Sequence, residues 1–284
     1  MELREIMSRI KELFKKKPER VLNVYCTAGY PKLNSTIEVI KALHSAGADI
    51  IELGMPYSDP LADGPVIQTS GKKALQNGMT ITKLFDQLQD FRMLSFRNGS
   101  NIHIENVPNT PLADGGLHVP VILMGYLNPL LQYGFEKFCE KAFEVGIDGL
   151  IIPDLPLYEF EHEYKSIVEK YNLDFIFLVT PETPEERIKK LDSLSSGFLY
   201  AVSSSSLTGS EKDFLTIDTY LKRLQAMNLK NPLLVGFGIK DKASFEAVCK
   251  HANGAIIGSA YINALENSTD IETVTKNFLD GILK

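Results

Sequence analysis

The sequence is poor in cysteine, and its cysteines are far apart. Cys26, Cys139 and Cys249 show no CxxC spacing. A disulfide framework and a thiolate zinc site both depend on paired or clustered cysteines. The sequence therefore argues against both, and a reducing cytoplasmic location is expected.

Long hydrophobic runs and dense basic tracts are also missing. No apolar run approaches the roughly 18 residues that a membrane-spanning helix needs. Segment 1–17 is helix-like and charged, and it lacks the apolar stretch of a signal peptide. The formal net charge is -6, from 36 acidic and 30 basic residues. We therefore expect neither a membrane span nor a nucleic-acid partner.

Apolar runs that predict strands alternate with helix-like segments along the chain. The predicted strands are 21–27, 49–54, 119–125, 149–152, 174–179, 198–202, 233–237 and 254–257. Gly47 and Gly146 each follow a helical apolar period, as expected of residues that end a helix. Eight such repeats predict an α/β fold, a single (β/α)8 TIM barrel over residues 1–284 with an N-terminal helix. A doubly wound parallel sheet is the alternative.

Residues 50–65 begin as a buried-strand pattern and continue as a loop rich in Pro, Gly and Asp. Glu52 lies inside the apolar run, where an ionised carboxylate is costly and its pKa is raised. Such a carboxyl group is suited to general acid–base catalysis. A structural Glu that caps a helix or pairs with a lysine is the alternative. Asp63, a second acid in the loop, favours the catalytic interpretation.

Two glycine turns follow the last two predicted strands. Gly236 and Gly238 flank one turn, and Gly258-Ser259 opens a short helix after the other. Functional residues of a (β/α)8 barrel lie at the carboxyl ends of its strands, and backbone N–H groups there often bind phosphate. The hydroxyl-rich loop 203–209 is placed to close over the same anion. These features predict a phosphate site, with plain tight turns as the alternative.

Several catalytic devices have no counterpart at the predicted strand ends. No strand ends in a lysine suited to a Schiff base, the five histidines fall on helices or loops, and no nucleophile elbow is present. Carboxylates, tyrosines and a phosphate site remain. They indicate proton-transfer chemistry on a sugar phosphate that carries an aromatic group.

Segment 52–65 (ELGMPYSDPLADGP), Gln68, the GFGI turn at 236–239 and Gly258-Ser259 resemble the tryptophan synthase alpha subunit family. The resemblance runs in order from about residue 24 to 262. It implies a (β/α)8 barrel that cleaves indole-3-glycerol phosphate to indole and glyceraldehyde 3-phosphate by a retro-aldol step. It also implies a beta subunit that carries pyridoxal phosphate and uses the indole for L-tryptophan synthesis. That complex would hold two alpha and two beta subunits, with no cofactor or metal in this chain.

The resemblance also implies residue roles. Glu52 would protonate indole C3 and deprotonate the glycerol hydroxyl, Asp63 would hold the indole N–H, and Tyr200 would lie beside the glycerol group. The indole pocket would be lined by Tyr25, Met124, Ile151 and Phe237, and the phosphate would be held by Gly209, Gly238, Gly258 and Ser259. The beta subunit would contact Pro56, Tyr57, Asp59, Pro60, Asp154 and Pro156. For Tyr200 and the pocket residues, a purely structural place in the barrel core is the alternative.

Two features depart from the family pattern. Ser206 stands where the family usually has glycine, which puts the closure of loop 203–209 in question. Residues 98–118 look inserted and are rich in Gly, Pro and Asn, so they predict a flexible surface loop. The alternative functions are a non-catalytic activating subunit of the same complex and another phosphate-binding barrel enzyme.

Overall fold

The computed structural model describes residues 8–91, 119–202, 211–236 and 238–284, without the side chains of 90, 91 and 211–217. The described chain contains nine strand segments. They are β1 Val21–Thr27, β2 Ile50–Gly54, β3 Val121–Met124, β4 Gly149–Ile151, β5 Asp174–Phe175, β6 Phe177–Val179, β7 Leu199–Ala201, β8 Leu233–Val235 and β9 Gly254–Ile257. The predicted insert 98–118 lies outside the described residues.

All strand pairs are parallel, in the order β5-β4-β3-β2-β1-β9-β8-β7-β6. The two ends of this order, β5 and β6, are halves of the predicted strand 174–179 and are separated by Ile176. Its N–H donates to the Leu150 carbonyl at 3.0 Å before the chain turns to pair with β7. One strand thus serves both neighbours and closes the sheet. The (β/α)8 barrel is confirmed, and the doubly wound sheet is wrong.

Helices connect the strands on the outside of the barrel. They are α1 Arg9–Lys16, α2 Ser35–Ala46, α3 Pro65–Gln76, α4 Ile81–Phe91, α5 Leu127–Tyr133, α6 Phe135–Glu144, α7 Leu157–Glu159, α8 Lys165–Lys170, α9 Glu185–Leu194, α10 Glu211–Ala226, α11 Lys242–Cys249, α12 Ser259–Leu265 and α13 Ile271–Leu283. A π-helical turn, Phe160–Tyr164, joins α7 to α8. Gly47 ends α2 in the left-handed region, at φ +95°, as predicted. Among the described residues, no helix is long and apolar enough to cross a membrane.

The strands bury apolar side chains on both faces, as parallel strands between helices and a barrel interior must. The larger cluster lies between the barrel and its helices. The smaller one fills the interior and contains Ile10, Phe14, Val21, Ile50, Ile122, Ile151, Ile176, Phe198, Tyr200, Leu234 and Ile256. Ile10 and Phe14 come from α1, four residues apart on one helix face. The N-terminal helix therefore closes the end of the barrel where the strands begin.

Ion pairs fasten α1 in that position. Arg9 donates from Nε and Nη2 to the two carboxylate oxygens of Asp148, each at 2.6 Å. Asp148 also accepts the N–H of Val121, the first residue of β3, at 2.8 Å. Lys17 lies 2.6 Å from Asp49, just before β2. The loops that follow the strands lie at the opposite end, which we call the mouth of the barrel.

Candidate active site

Glu52 lies in the middle of β2 and is completely buried. It pairs with Tyr25 of β1 on one side and with Ile122 of β3 on the other. Burial raises the pKa of Glu52, the Asn23 hydrogen bond lowers it, and the Asp63 charge raises it, to about 8 overall. Glu52 therefore holds its proton at neutral pH. This environment is the one expected from an acid inside an apolar run.

Asn23 supplies the hydrogen bond to Glu52 and was not assigned a role from the sequence. Its Nδ2 donates to Glu52 Oε2 at 2.9 Å, and both residues are fully buried. Within the described chain, Asn23 Oδ1 and Glu52 Oε1 have no hydrogen-bond partner. The signal in the sequence is an amide at an inward position of an otherwise apolar strand.

Asp63 lies in the loop between β2 and α3 and is half-buried. Burial raises its pKa, the Tyr126 hydroxyl opposes the rise, and the result is about 6. The Tyr126 hydroxyl also accepts the Ala62 N–H at 3.0 Å, and Gln68 Nε2 donates to the Asp63 carbonyl at 2.8 Å. Tyr126, which follows β3, thus supports the loop that carries Asp63. Sequence reasoning gave Tyr126 no role.

Tyr25 and Tyr200 face both acids. Burial is the largest cause of the raised pKa of each phenol; the Asp63 charge comes next for Tyr25 and the Glu52 charge for Tyr200. A Cβ atom at Gly54 would overlap the Tyr25 ring, and one at Gly236 would overlap the Tyr200 ring. Glycines on the neighbouring strands therefore provide the space that these two rings occupy. Glu52, Asp63, Tyr25 and Tyr200 form one group, which we call the acid–tyrosine cluster.

The other residues predicted to line the indole pocket, Met124, Ile151 and Phe237, differ in burial and in whether the structure describes them. Met124 of β3 and Ile151 of β4 are register partners at the carboxyl ends of their strands. Ile151 is fully buried in the interior cluster, whereas Met124 is partly buried and packs against both clusters. Phe237 lies outside the described residues. The contact of these side chains with a substrate stays a prediction.

The predicted phosphate residues are described in part. Gly238 has φ +68°, a conformation that favours glycine, with open space where a Cβ would be. Gly258 precedes α12, and a Cβ built there would lie 3.5 Å from both the Tyr25 and the Ile67 side chains. Ser259 is the exposed first residue of α12. The structure thus places Gly258 beside the acid–tyrosine cluster. Gly209 and Ser206 lie outside the described residues, and phosphate binding stays a prediction.

The predicted partner surface consists of two loops that lie side by side. Pro56, Tyr57, Asp59 and Pro60 precede α3, and Asp154 and Pro156 precede α7; all six are partly or fully exposed. The start of α5 joins the loops, because Leu127 N–H donates to Asp154 Oδ1 at 2.9 Å and Asn128 Nδ2 donates to the Tyr57 hydroxyl at 3.4 Å.

Three large apolar side chains are exposed next to these loops. They are Leu61 at 93%, Leu131 at 47% and Tyr158 at 68% exposure. Leu61 belongs to the loop before α3, Leu131 to α5 and Tyr158 to α7. Their placement fits a protein contact at this surface, which stays a prediction.

The described residues contain no group of three His, Cys, Asp or Glu side chains that could hold a metal ion.

Comparison with known proteins gives a consistent result. The family model described as tryptophan synthase alpha chain matches residues 12–98 and 104–280. The tryptophan synthase alpha chain of Parabacteroides distasonis is 47% identical over 272 residues, which are 95% of this chain and 97% of that protein. That of Flavobacterium johnsoniae is 51% identical over 251 residues, or 88% and 90% of the two chains.

Solved structures agree with the sequence relatives. The tryptophan synthase alpha subunit of Legionella pneumophila superposes with a TM-score of 0.81 at 32% identity, covering 97% of each chain. A chain of tryptophan synthase from M. tuberculosis, in its aminoacrylate-bound form, gives a TM-score of 0.77 at 28% identity over 97% of this chain and 99% of that one. The acid–tyrosine cluster therefore lies in a barrel whose whole length matches these proteins. The chain belongs to the tryptophan synthase alpha chain family.

Proposed function

We propose that this chain cleaves indole-3-glycerol phosphate to indole and glyceraldehyde 3-phosphate, as the alpha subunit of a tryptophan synthase. Family membership supports the reaction, and one structural observation carries it. Glu52 is a fully buried carboxyl group with a pKa of about 8, and a second acid, Asp63, lies close enough to raise it. Two acids with separated pKa values can divide the roles of proton donor and charge stabiliser.

The pKa values support this division of roles at neutral pH. Glu52, with a pKa of about 8, carries a proton, whereas Asp63, with a pKa of about 6, is mostly ionised. Glu52 donates its proton to indole C3, and positive charge develops on the ring. The Asp63 carboxylate accepts a hydrogen bond from the indole N–H and stabilises that charge.

Bond cleavage follows from the second proton transfer. The Glu52 carboxylate takes the proton of the glycerol hydroxyl next to the ring, and the carbon–carbon bond breaks. Its electron pair returns to the ring and restores neutral indole, while the hydroxyl-bearing carbon becomes the aldehyde. The protonated ring is the electron sink, so the step needs neither a lysine nor a metal ion. Each positioned proton transfer contributes roughly 10²–10⁴-fold to the rate.

The remaining proposals concern binding and assembly. Tyr200 lies beside the glycerol group, Tyr25, Met124, Ile151 and Phe237 surround the indole, and the phosphate binds to Gly209, Gly238, Gly258 and Ser259. A beta subunit that carries pyridoxal phosphate covers the loops before α3 and α7, in a cytoplasmic heterotetramer of two alpha and two beta subunits. The exposed Leu61, Leu131 and Tyr158 support a protein contact there.

The test is indole release from indole-3-glycerol phosphate by the purified chain, with and without a beta subunit. Glu52→Gln keeps the shape of the side chain and removes the acid, so we expect it to fold and to lose nearly all indole release. Asp63→Asn should be almost as damaging, whereas Glu38→Gln, on the exposed face of α2, should match the parent. A parent chain that stimulates the beta subunit but releases no indole would instead be a non-catalytic activator.

A further inference from the structure

The two carboxyl oxygens of Glu52 are in different environments. Oε2 accepts the Asn23 Nδ2 hydrogen bond at 2.9 Å, whereas Oε1 is buried with no partner among the described residues. An N–H donor at one carboxyl oxygen disfavours a proton on that same oxygen. The proton of the neutral acid therefore belongs on Oε1.

Asn23 lies on the deep side of Glu52. In the register of β1 and β2, Asn23 pairs with Ile50, and Tyr25 pairs with Glu52. Asn23 is thus one inward position closer to the end of the barrel that α1 closes. Toward the mouth, the next inward position of β2 is Gly54, where the Tyr25 ring lies. The hydrogen bond therefore reaches Glu52 from the end of the barrel that α1 closes. A ligand would enter from the opposite end, the mouth.

We infer that Asn23 is a positioning residue for Glu52. Asn23 holds Oε2 from the interior of the barrel, so Oε1 is the oxygen that gives and takes the proton. The inference rests on the proposed function. The proton leaves Oε1 for indole C3, and the glycerol hydroxyl proton returns to Oε1. Oε2 keeps its hydrogen bond throughout, so the carboxyl group does not have to rotate between the two transfers.

The titratable groups that interact electrostatically with Glu52 decide how its titration responds to the loss of Asn23. Asp63 comes from the loop after β2, Tyr25 and Cys26 from β1, and Tyr200 from β7. Burial raises the pKa of Tyr25, Cys26 and Tyr200, so all three stay neutral near pH 7. Asp63 is the one charged neighbour within this set, and it disfavours the carboxylate. Asn23 opposes it, because its N–H stabilises the carboxylate.

The experiment compares pH profiles of indole release by parent, Asn23→Leu and Asn23→Ala. Leucine has a similar size without a donor, and alanine removes the donor with a smaller side chain. Catalysis starts from protonated Glu52, so kcat falls on the alkaline side as Glu52 ionises. In both variants we expect this limb to move up by about one pH unit. We also expect kcat to fall at least about tenfold with little change in KM, because the acid loses its orientation.

A matched control separates positioning from packing. Ile256 of β9 is the register partner of Asn23 on the other side, so Ile256→Val changes the packing of the same layer without removing a donor. This control should leave the alkaline limb in place. Carboxyl infrared difference spectra, assigned by their loss in Glu52→Gln, report the pKa of Glu52 without turnover and should show the same upward movement.

Failure of the role of Asn23 and failure of the proposed function would give different results. An alkaline limb and a Glu52 carboxyl pKa that stay within about 0.2 pH unit of the parent in both variants would overturn the role of Asn23. A parent chain that releases no indole, or a Glu52→Gln variant that releases it normally, would refute the proposed function instead. If Asn23→Leu does not fold, Asn23→Ala and the infrared measurement still decide the question.

Discussion

Replacing Glu52 by glutamine is expected to stabilise the fold while it abolishes the reaction. The folded chain keeps Glu52 protonated up to a pKa of about 8, whereas the ordinary glutamate value is 4.5. The unfolded chain therefore releases a proton that the folded chain retains, and this difference favours unfolding. Glutamine does not titrate, and its carbonyl can accept the same Asn23 hydrogen bond.

The magnitude follows from the separation of the two pKa values. Below pH 4.5 both states hold the proton, and parent and Glu52→Gln should have similar stability. Between pH 4.5 and 8 the penalty in the parent grows, and above pH 8 it is complete. A separation of about 3.5 pH units, at about 1.4 kcal/mol each, corresponds to a stability penalty on the order of 5 kcal/mol.

The assay is urea unfolding of parent and Glu52→Gln at pH 5 and pH 9, followed by far-UV circular dichroism because the chain contains no tryptophan. The free energies of unfolding should differ by only about 1 kcal/mol at pH 5, and the variant should be several kcal/mol more stable at pH 9. Glu38→Gln, at an exposed position, should follow the parent at both pH values. A difference between Glu52→Gln and parent that is the same at both would refute the raised pKa and the catalytic argument that uses it.

Two further substitutions test the construction of the barrel. Gly54→Ala places a Cβ in the space of the Tyr25 ring, so we expect a loss of about 1–3 kcal/mol in the free energy of unfolding and weaker indole release. Gly281→Ala, in α13 with open space around it, should not lower stability, because alanine is the better helix former. Equal losses in both variants would contradict the packing argument. Arg9→Leu removes the guanidinium that contacts both carboxylate oxygens of buried Asp148, so urea unfolding should show a loss of about 3–5 kcal/mol at pH 7. A loss of less than about 1 kcal/mol, the size typical of exposed pairs, would show that this ion pair does not hold α1.

The fold was predictable because its signals are local. Residues 21–27 and 254–257 were predicted as strands with the bounds that β1 and β9 have. The interruption of 174–179 at Ile176 was not predictable, because it arises where one strand changes neighbours. The predicted strand 119–125 is longer than β3, Val121–Met124, since strand ends depend on partners elsewhere in the chain. Apolar patterns carry no information about those partners.

The candidate site was predictable to the extent that single residues stand out. Glu52 does so because an acid interrupts an apolar run. Asn23 gains its meaning only from the pairing of β1 with β2, which places its amide against Glu52. Tyr126 supports the acidic loop across 64 residues of sequence, through its hydrogen bond with Ala62. Contacts of this kind become visible only when the strands are assembled.

The shared strand formed by β5 and β6 also affects how the barrel comes apart. An open sheet can lose an outer strand by breaking a single ladder of hydrogen bonds. In this ring, β5 is hydrogen-bonded to β4 and β6 to β7. Detaching a strand therefore requires the ladders on both of its sides to break together. Among the described strands, the closed ring leaves no outer strand onto which a strand from another molecule can be added.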